Sequence, residues 1–548
     1  MARRLSTFLG GAAGLALLVT AGAGMAAAQS SQAGDVSTQC LLTEQCGGSI
    51  AWPAPNGPVT GGRYSVAAQI NTSNVHNLKP AWTFKSGVPG GTEDYPIVIN
   101  GVAYITTEFG YVYALNAETG QQMWEYQPPA ADAKLDHGAP NRGVAVGNGS
   151  VYVLANTDQL IRLNAATGKL IWAKGVIPDA IPKGYSESVA PVYYDGVLYV
   201  GSAGGDSGVR GFIEAMNADT GALLWRFWTV PKAGTGWLKE PGNHGGGAVW
   251  GIPTLDPAAN RVYFGVGNPS PDFYAGDRPG LNPYTDSIVA ITMNHGKYVW
   301  SYDEVPHDMW DYDAIASPTL FPAQGLQALG AGGKDGVWYE LNAQTGQLIT
   351  MPLALVKEDH GTPPTTGKPV LEWPGSGDGF EWSAAAYDPQ TGLAYGETIS
   401  GPNPERAYPG VAARHKVGQL DVATSFLAKP ADIPVIGTVT AISADNGTVT
   451  WQQTTKDGVL GGATATAGGL VFAAQSGTGV LEALDAKSGK VLWSFASHQS
   501  VAAGPSVYTA GGHEYVLYPL GGSLYLSGPF DLGGLTASDA TFEAFELK

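Results

Sequence analysis

The sequence predicts an all-β protein folded as an eight-bladed β-propeller, and three observations support this prediction. The chain of 548 residues contains 77 Gly, 37 Pro and 15 Trp but only 14% charged residues, which is typical of short strands joined by tight turns. A segment in which glycine is followed four residues later by tryptophan recurs along the chain. Most copies follow another hairpin-like segment, so one repeat holds about four strands, the unit of a propeller blade.

The repeat reads as strand, turn, strand. Alternating apolar residues lead to an Asn or Asp that opens a turn, then to a Gly that can adopt positive φ, then to a second alternating stretch. The copies are YALNAETGQQMW ending at Trp124, RLNAATGKLIW at Trp172, AMNADTGALLW at Trp225, ITMNHGKYVW at Trp300, ELNAQTGQLIT at Thr350, AISADNGTVTW at Trp451 and ALDAKSGKVLW at Trp493. Because the tryptophan recurs, we interpret it as scaffold: its ring fills the wedge between blades, and its N–H reaches a neighbouring carbonyl.

Trp82 in LKPAWTFKSG has similar neighbours but no glycine four residues before it. We interpret this segment as the outer strand of a blade that the other terminus closes, which brings the number of blades to eight. The repeat spacing stretches before Trp300 and before Trp451, so two blades are expected to carry long insertions over one face of the disc.

The formal net charge of −18 and the pI near 4.8 oppose binding to phosphate backbones or anionic lipid. We therefore expect no nucleic-acid partner. The acidity is interpreted as a solvated surface, with steering of a basic redox partner as the alternative.

The N-terminus has the pattern of a signal peptide, with Arg3 and Arg4, an apolar stretch, and small residues up to Ala28. Cleavage near Ala28 and export to the periplasm or the extracellular space are expected, and an uncleaved anchor is the alternative. The predicted organisation is a signal peptide at 1–28, an N-terminal extension at 29–72 and the propeller at 73–548.

Cys40 and Cys46 are the only cysteines, and an exported chain is expected to join them in a local disulfide. No Cys-x-x-Cys-His segment occurs. This absence predicts that the chain carries no covalently attached c-type haem and that electrons leave through another protein.

Segments that depart from the repeat are the candidates for function. The densest is PHDMWDYD at 306–313, where strand-like alternation would place Asp311 and Asp313 on one face, at a high cost unless a cation neutralises them. Two solvated loop aspartates are the alternative. A second segment, GGGAVW ending at Trp250, is followed by GVGNPSP with Asn268; its glycines would let a flat ligand approach the backbone, and Asn268 offers a neutral oxygen ligand.

Together these segments resemble the quinoprotein alcohol dehydrogenases, the pyrroloquinoline quinone (PQQ) enzymes typified by methanol dehydrogenase. The resemblance runs from INTSNVHNLKPAWTF to the last repeat and includes the tryptophan repeats, GGGxxW, GxGNPSP and PHDxWDYD. It implies an eight-bladed propeller with PQQ and one metal ion in a funnel on the axis.

The resemblance also implies individual roles. Asp311 matches the catalytic base, and the implied metal ligands are Asp206, Asn268, Asp311 and Asp313. Asp313 matches an extra carboxylate of the lanthanide-using members. The implied cofactor-binding residues are Glu93, Arg142, Ser188, Trp250, Lys334 and Trp382, with Trp250 as the floor on which the quinone stacks. A tricarboxylate cofactor needs such cationic and hydroxyl partners.

Several positions depart from the family pattern. Asp136 and His137 stand where the family has adjacent cysteines that cap the quinone. Asp206 replaces a glutamate and Glu381 replaces an asparagine. Leu460 occupies a usual tryptophan position.

The resemblance implies oxidation of a small alcohol to an aldehyde. Asp311 would take the hydroxyl proton, the metal would act as a Lewis acid on the quinone, and a separate acceptor such as a soluble cytochrome would take the electrons. Three aspartates favour a lanthanide over calcium as the metal. The alternatives are a non-catalytic β-propeller that serves as a binding or assembly platform, and a metal-dependent propeller hydrolase or lyase.

Overall fold

The structure is a computed structural model. It describes residues 33–548 apart from 130–139, 156–157, 178–183, 232–236, 238–244, 360–363, 365–367, 409–418, 421, 425–426, 428, 431 and 524–536. The predicted signal peptide and the positions of Asp136 and His137 lie outside the described residues. No helix in the described part is long and apolar enough to span a membrane.

The chain enters the fold through a short helix, α1 (Thr38–Thr43), which Ser37 caps by accepting a hydrogen bond from the Cys40 amide. Cys40 and Cys46 form the expected disulfide around the end of this helix. The elements that follow are β1 (Gln45–Cys46), β2 (Ser49–Ile50), β3 (Tyr64–Ser65) and β4 (Leu78–Lys85).

The segment between β2 and β4 packs against the propeller. Trp52 forms a bridge with Val98, and β3 pairs in parallel with residues 465–466. Arg63 is fully buried, and its guanidinium donates to the carbonyl oxygens of Ala463 and Pro505 at 2.9 and 3.0 Å. These contacts tie the segment to several blades.

In the described part of the chain, eight antiparallel four-stranded meanders follow one another as the blades, and β3 adds a fifth, parallel strand to the seventh. Blade 1 contains β5 (Ile97–Ile99), β6 (Val102–Thr106), β7 (Val112–Asn116) and β8 (Gln122–Tyr126), and blade 2 contains β9 (Val144–Gly147), β10 (Ser150–Ala155), β11 (Gln159–Asn164) and β12 (Leu170–Gly175). Blade 3 contains β13 (Val192–Tyr194), β14 (Val197–Gly201), β15 (Phe212–Asn217) and β16 (Leu223–Trp228), and blade 4 contains β17 (Thr254–Asp256), β18 (Arg261–Val266), β19 (Ser287–Thr292) and β20 (Tyr298–Asp303).

The second half of the chain continues the pattern. Blade 5 is β21 (Thr319–Ala323), β22 (Leu326–Gly332), β23 (Val337–Asn342) and β24 (Leu353–Ala354). Between blades 5 and 6 lies β25 (Val370–Glu372). Blade 6 contains β26 (Ala386–Asp388), β27 (Leu393–Ser400), β29 (Ile436–Ser443) and β30 (Thr448–Thr455), and β28 (Asn403–Glu405) is inserted between β27 and β29. Blade 7 contains β31 (Thr464–Thr466), β32 (Leu470–Gln475), β33 (Val480–Asp485) and β34 (Val491–Ala496). Blade 8 contains β35 (Ser506–Ala510), β36 (His513–Leu520), β37 (Thr541–Leu547) and β4.

Blade 8 joins the two ends of the chain, as predicted. Strand β4 pairs antiparallel with β37, and Trp82 lies opposite Ala544. The outer strand of the last blade therefore comes from the N-terminal side of the propeller, which closes the ring and confirms the eight-bladed fold.

The recurrent tryptophans join one blade to the next, except between blades 5 and 6, where Thr350 takes the place of the tryptophan and faces Gly447. Each indole N–H donates to a backbone carbonyl of the following blade, as in Trp124 to Ala165 at 2.9 Å. The ring lies against the repeat glycine of that blade, where a Cβ on Gly168 would stand 2.6 Å from Trp124 Cε3. The other donor–acceptor pairs are Trp82–Ala117, Trp172–Asp219, Trp225–Met293, Trp300–Ala343, Trp451–Ala486 and Trp493–Leu78. The repeat position must therefore be glycine for two reasons. Its turn needs a positive φ, and the tryptophan ring of the preceding blade leaves no room for a Cβ.

The predicted insertions are at 229–253 and 267–286 around blade 4 and at 355–385 and 401–435 around blade 6. Their described residues belong to connections that leave one face of the disc, where β25 pairs with β28. The amide of Phe273 donates to the carbonyl of Val422 at 3.0 Å, so the insertions of the two blades touch.

Candidate active site

All the predicted site residues lie on connections that emerge at one face of the disc. In a meander blade, the connection to the next blade and the connection between the second and third strands leave from the same side, because neighbouring strands are antiparallel. The first kind of connection carries Glu93, Arg142, Ser188, Trp250, Asp311, Asp313 and Trp382, and the second carries Asp206, Asn268 and Lys334. The turns of the tryptophan repeat lie on the opposite face.

Arg142 is the centre of one half of the site. Its Nη2 forms a 2.7 Å ion pair with Glu93 Oε2, and its Nη1 donates to Ser188 Oγ at 2.8 Å. Glu93 also accepts a hydrogen bond from Ser523 Oγ at 2.5 Å. All four side chains are buried, so the carboxylate and hydroxyl hold the guanidinium in one place by charge-assisted hydrogen bonds.

Two tryptophan rings flank this guanidinium. Its Cζ lies 4.7 Å from the ring centroid of Trp250 and 4.8 Å from that of Trp382, within the range of cation–π attraction. The two rings meet nearly edge to face, and Trp382 Nε1 donates to the Ala502 carbonyl at 3.0 Å. The buried Nε of Arg142 has no hydrogen-bond partner, so this donor remains available to an anionic ligand.

The segment with Asp311 is a turn rather than the strand that alternation suggested. The carboxylate of Asp308 accepts hydrogen bonds from the amides of Trp310 and Asp311 at 3.1 and 3.0 Å. Asp311 has φ 63°, a left-handed conformation that aspartate tolerates better than most residues. The expected strand is therefore wrong, because the Asp308 side chain offers the backbone a competing set of hydrogen bonds.

Lys334 joins the two aspartates. Its Nζ lies 3.2 Å from Asp311 Oδ1 and 2.7 Å from Asp313 Oδ2, and its side chain is 3% exposed. It also lies 3.9 Å from Glu381 Oε1 and 5.9 Å from the ring centroid of Trp250. The lysine therefore connects the carboxylate half of the site to the aromatic half.

Asn268 connects Asp313 with Asp206. Its backbone amide donates to Asp313 Oδ1 at 2.7 Å, and its side-chain Nδ2 lies 3.5 Å from Asp206 Oδ1. The four proposed metal ligands thus face one region, although they come from blades 3 and 4 and from the connection to blade 5.

The glycines before Trp250 have a different use from the one predicted. A Cβ on Gly246 would lie 2.5 Å from the Asn268 carbonyl oxygen, and one on Gly245 would lie 2.2 Å from the carbonyl carbon of Gly208. These glycines let the loops that carry Asp206 and Asn268 pack on the 245–247 backbone. They position the carboxylate and amide ligands, and protein backbone fills the space beside them.

Asp272 is a site residue that sequence reasoning missed. Its position four residues after Asn268, in NPSPD, is the one local feature that links it to the site. It is 1% exposed, and neither carboxylate oxygen has a hydrogen-bond partner. Burial raises the pKa of Asp272 well above its usual range, and the charges of Asp206 and Asp311 raise it further. Burial also raises the pKa of Asp311, while Lys334 opposes that rise. The region therefore holds several carboxyl groups buried close together, with the Lys334 ammonium among them.

The residues present fit both PQQ and a cation. An aromatic face, a guanidinium, an ammonium and a hydroxyl suit a flat tricarboxylate quinone, and the unpartnered Arg142 Nε supplies a further donor. Among the described residues, no three His, Cys, Asp or Glu side chains are arranged to hold a metal as they stand. The ammonium of Lys334 already bridges Asp311 and Asp313, the position where a cation would compensate the same charges.

The comparisons with known proteins agree with this chemistry. The family model described as the PQQ glucose/ethanol/alcohol dehydrogenase β-propeller domain matches residues 52–352 and 353–516. A quinone alcohol dehydrogenase subunit of Gluconacetobacter polyoxogenes is 34% identical, with 86% of this chain and 71% of that protein covered. The quinohaemoprotein alcohol dehydrogenase structure from Comamonas testosteroni superposes with a TM-score of 0.83 at 27% identity, covering 94% of this chain and 83% of that one. These matches favour the enzyme over the binding platform and over a hydrolase or lyase.

The prediction about haem was wrong. A quinohaemoprotein alcohol dehydrogenase of Pseudomonas putida is 31% identical over 519 residues, and its matched region covers 86% of this chain and 73% of that protein. Relatives that are named for their haem therefore share this propeller. The Cys-x-x-Cys-His segment belongs to one mode of haem attachment, the covalent c-type. Its absence therefore establishes neither a haem-free enzyme nor a separate electron carrier.

Proposed function

The chain belongs to the PQQ-dependent alcohol dehydrogenase β-propellers, and from this premise we propose that it oxidises a small alcohol to an aldehyde, with Asp311 as the catalytic base. The observation that carries this proposal is the ion pair of Lys334 with Asp311 and Asp313, beside the Arg142 guanidinium and the rings of Trp250 and Trp382. It supports the proposal because Asp311 is buried beside aromatic and cationic side chains that suit a flat anionic cofactor.

The aromatic half would hold the cofactor. Arg142, with its position set by Glu93 and Ser188, would pair with a quinone carboxylate, and Trp250 would present its ring face. Trp382 is anchored through its N–H to Ala502 and would keep the guanidinium in place. Bound PQQ would supply a carbonyl-bearing ring that accepts the equivalent of a hydride, and a bound metal would act on it as a Lewis acid.

The metal is proposed to bind Asp206, Asn268, Asp311 and Asp313. Three carboxylates and one amide are hard oxygen donors, and Asp272 adds a further buried carboxyl group nearby. A trivalent ion balances three carboxylates better than a divalent one. We therefore propose a lanthanide in preference to calcium.

Asp311 would accept the hydroxyl proton of the substrate. Its pKa is raised by burial and by neighbouring carboxylates, while the Lys334 ammonium lowers it. The lysine thus favours the ionised form that a general base requires. The turn formed by Asp308 holds the Asp311 backbone in its left-handed conformation, and so directs the carboxylate.

Export is also proposed. The signal-like pattern that ends at Ala28 supports it, and the Cys40–Cys46 disulfide is compatible with an oxidising compartment. N-terminal sequencing of the protein recovered outside the cytoplasm would test it, and a chain that begins at Met1 there would contradict cleavage near Ala28.

The function is tested with purified protein mixed with PQQ and either lanthanum or calcium. We expect a bound-quinone absorption spectrum and alcohol-dependent reduction of an artificial dye, with higher activity in lanthanum. The variant Asp311→Asn should bind PQQ but lose dye reduction, because it cannot accept the proton. Wild-type protein that binds no PQQ with either metal would contradict the proposal.

A further inference from the structure

We propose that Glu381 is a positioning residue that receives the Lys334 ammonium when a metal ion takes Asp311 and Asp313. The inference rests on the proposed function, since it needs the metal site described above. It concerns a position where the family usually has an asparagine.

The first step is a competition between two cations. Lys334 Nζ lies 3.2 Å from Asp311 Oδ1 and 2.7 Å from Asp313 Oδ2, so the ammonium compensates the carboxylates that a metal would need. A metal ion and an ammonium repel each other at such separations. Metal binding at these aspartates therefore requires the lysine to leave them.

The second step is the fate of the displaced ammonium. Lys334 is 3% exposed, and a buried charge without a partner costs several kcal/mol. A second buried carboxylate within reach of a small side-chain rotation removes most of this cost. Without such a group, the same cost would weaken metal binding.

Glu381 satisfies this requirement. Its Oε1 lies 3.9 Å from Lys334 Nζ, at the limit of an ion pair, and its Oε2 is buried without a hydrogen-bond partner. The side chain is 2% exposed, so its carboxylate is aimed into the protein rather than into solvent. An amide at this position could accept one hydrogen bond, but it could not neutralise the ammonium.

The backbone supports a functional role for this residue. Glu381 has φ 46°, a left-handed conformation that is unfavourable for a side chain of this type. The neighbouring Trp382 is fixed by its hydrogen bond to Ala502. The strained residue therefore stands at a defined point between the aromatic and carboxylate halves of the site, as strained residues often do at functional sites.

The experiment is a double-mutant cycle on metal affinity. Binding of terbium(III), and separately of calcium, is measured by calorimetry with the wild-type protein, Glu381→Gln, Lys334→Met and the double variant, each with and without PQQ. Folding of each variant is checked by circular dichroism. Glu381→Asn replaces the Gln variant in the cycle if that variant does not fold, and Glu381→Asp tests whether a carboxylate alone restores binding.

Three results are expected. Glu381→Gln weakens terbium binding about tenfold, and Glu381→Asp keeps it within about threefold of the wild type. Lys334→Met strengthens binding in the PQQ-free protein, because the competing ammonium is gone. In the Lys334→Met background, Glu381→Gln changes affinity by less than about threefold.

Other outcomes overturn the inference. An equal loss in both backgrounds means that Glu381 attracts the metal directly, and no loss in the wild-type background means that it has no part in metal binding. Unchanged affinity in Lys334→Met contradicts the competition itself. Wild-type protein that binds neither metal, with or without PQQ, instead removes the proposed metal site, and the inference falls with it.

Discussion

Lys334 Nζ lies 2.7 Å from Asp313 Oδ2, and this buried ion pair joins a connection inside blade 5 to the connection that precedes the blade. The same ammonium contacts Asp311. One lysine thus sets the charge balance of the proposed base and of two proposed metal ligands.

Removal of the Asp313 carboxylate should abolish lanthanum-dependent dye reduction. Asp313→Ala deletes one of three proposed anionic ligands and also frees Lys334 to pair with Asp311 alone. Activity is measured with PQQ and lanthanum over a range of metal concentrations. Glu125→Ala, an exposed carboxylate on the outer strand of blade 1, is the matched control. Unchanged lanthanum activity in Asp313→Ala would refute the assignment of this ligand.

Arg142→Lys should weaken PQQ binding by about tenfold or more, although it keeps the charge. The planar guanidinium binds Glu93 and Ser188 with different nitrogens and lies within cation–π distance of two indole rings, and an ammonium cannot do all of this. The dissociation constant of PQQ is measured by quenching of tryptophan fluorescence. Arg162→Lys, in a partly exposed ion pair with Asp219, is the control. Equal affinity of Arg142→Lys and wild type would show that the guanidinium does not bind the cofactor.

Gly168→Ala should destabilise the protein more than Gly196→Ala. Both glycines have positive φ, 67° and 79°, so both variants carry the backbone cost of about 1–2 kcal/mol. A methyl group on Gly168 would lie 2.6 Å from Trp124, whereas nothing lies within 4 Å of one on Gly196. Overpacking should therefore add about 1–3 kcal/mol to the first variant alone. The thermal midpoints of the two variants are compared, and equal midpoints would mean that the tryptophan–glycine contact is not tight.

Stability should fall as pH rises from about 5 to about 8. Burial raises the pKa of Glu187 well above its usual range, and burial raises those of Asp158 and Glu214 to about 7. The folded protein therefore holds protons that the unfolded chain releases near pH 4, so these groups stabilise the fold at low pH and lose that contribution as pH passes the folded pKa.

The variant Glu187→Gln tests the source of this slope. Glu187 is fully buried beside Asp158, Glu214 and Arg226, and a neutral amide there cannot release a proton. Plots of thermal midpoint against pH should be shallower for Glu187→Gln than for wild type, and an exposed Glu125→Gln control should match wild type. Parallel plots for Glu187→Gln and wild type would assign the pH dependence to other groups.

Much of the fold could be predicted because its signals are local. Each hairpin carries its own alternation and turn glycine, and the recurrence of Gly-x-x-x-Trp marks the blades, including the one closed through Trp82. The role of Gly168 was less visible. Its positive φ belongs to its own turn, but its lack of a side chain also serves Trp124 of the preceding blade.

The site was only partly predictable for the opposite reason. Motif matches named Asp311 and Lys334 separately, but their contact spans 23 positions and depends on how two connections meet over one face. The turn made by Asp308 was misread as strand, because a side chain that bonds to its own backbone does not alter the apolar alternation. The place of Asp272 four residues after Asn268 puts it near the site in sequence, but only the fold buries it among other carboxyl groups.

Strand order, the number of blades and the residue types at the axial face follow from the sequence, since these depend on short-range hydrogen bonding and on a repeated pattern. Which charges meet depends on the folded chain: Lys334 with Asp311 and Asp313, Arg142 with Glu93, and Glu381 within reach of the lysine. Closing the ring brings connections from different blades to one place and removes them from water. There the energy of each charge depends on its neighbours in space and no longer on its neighbours in the chain.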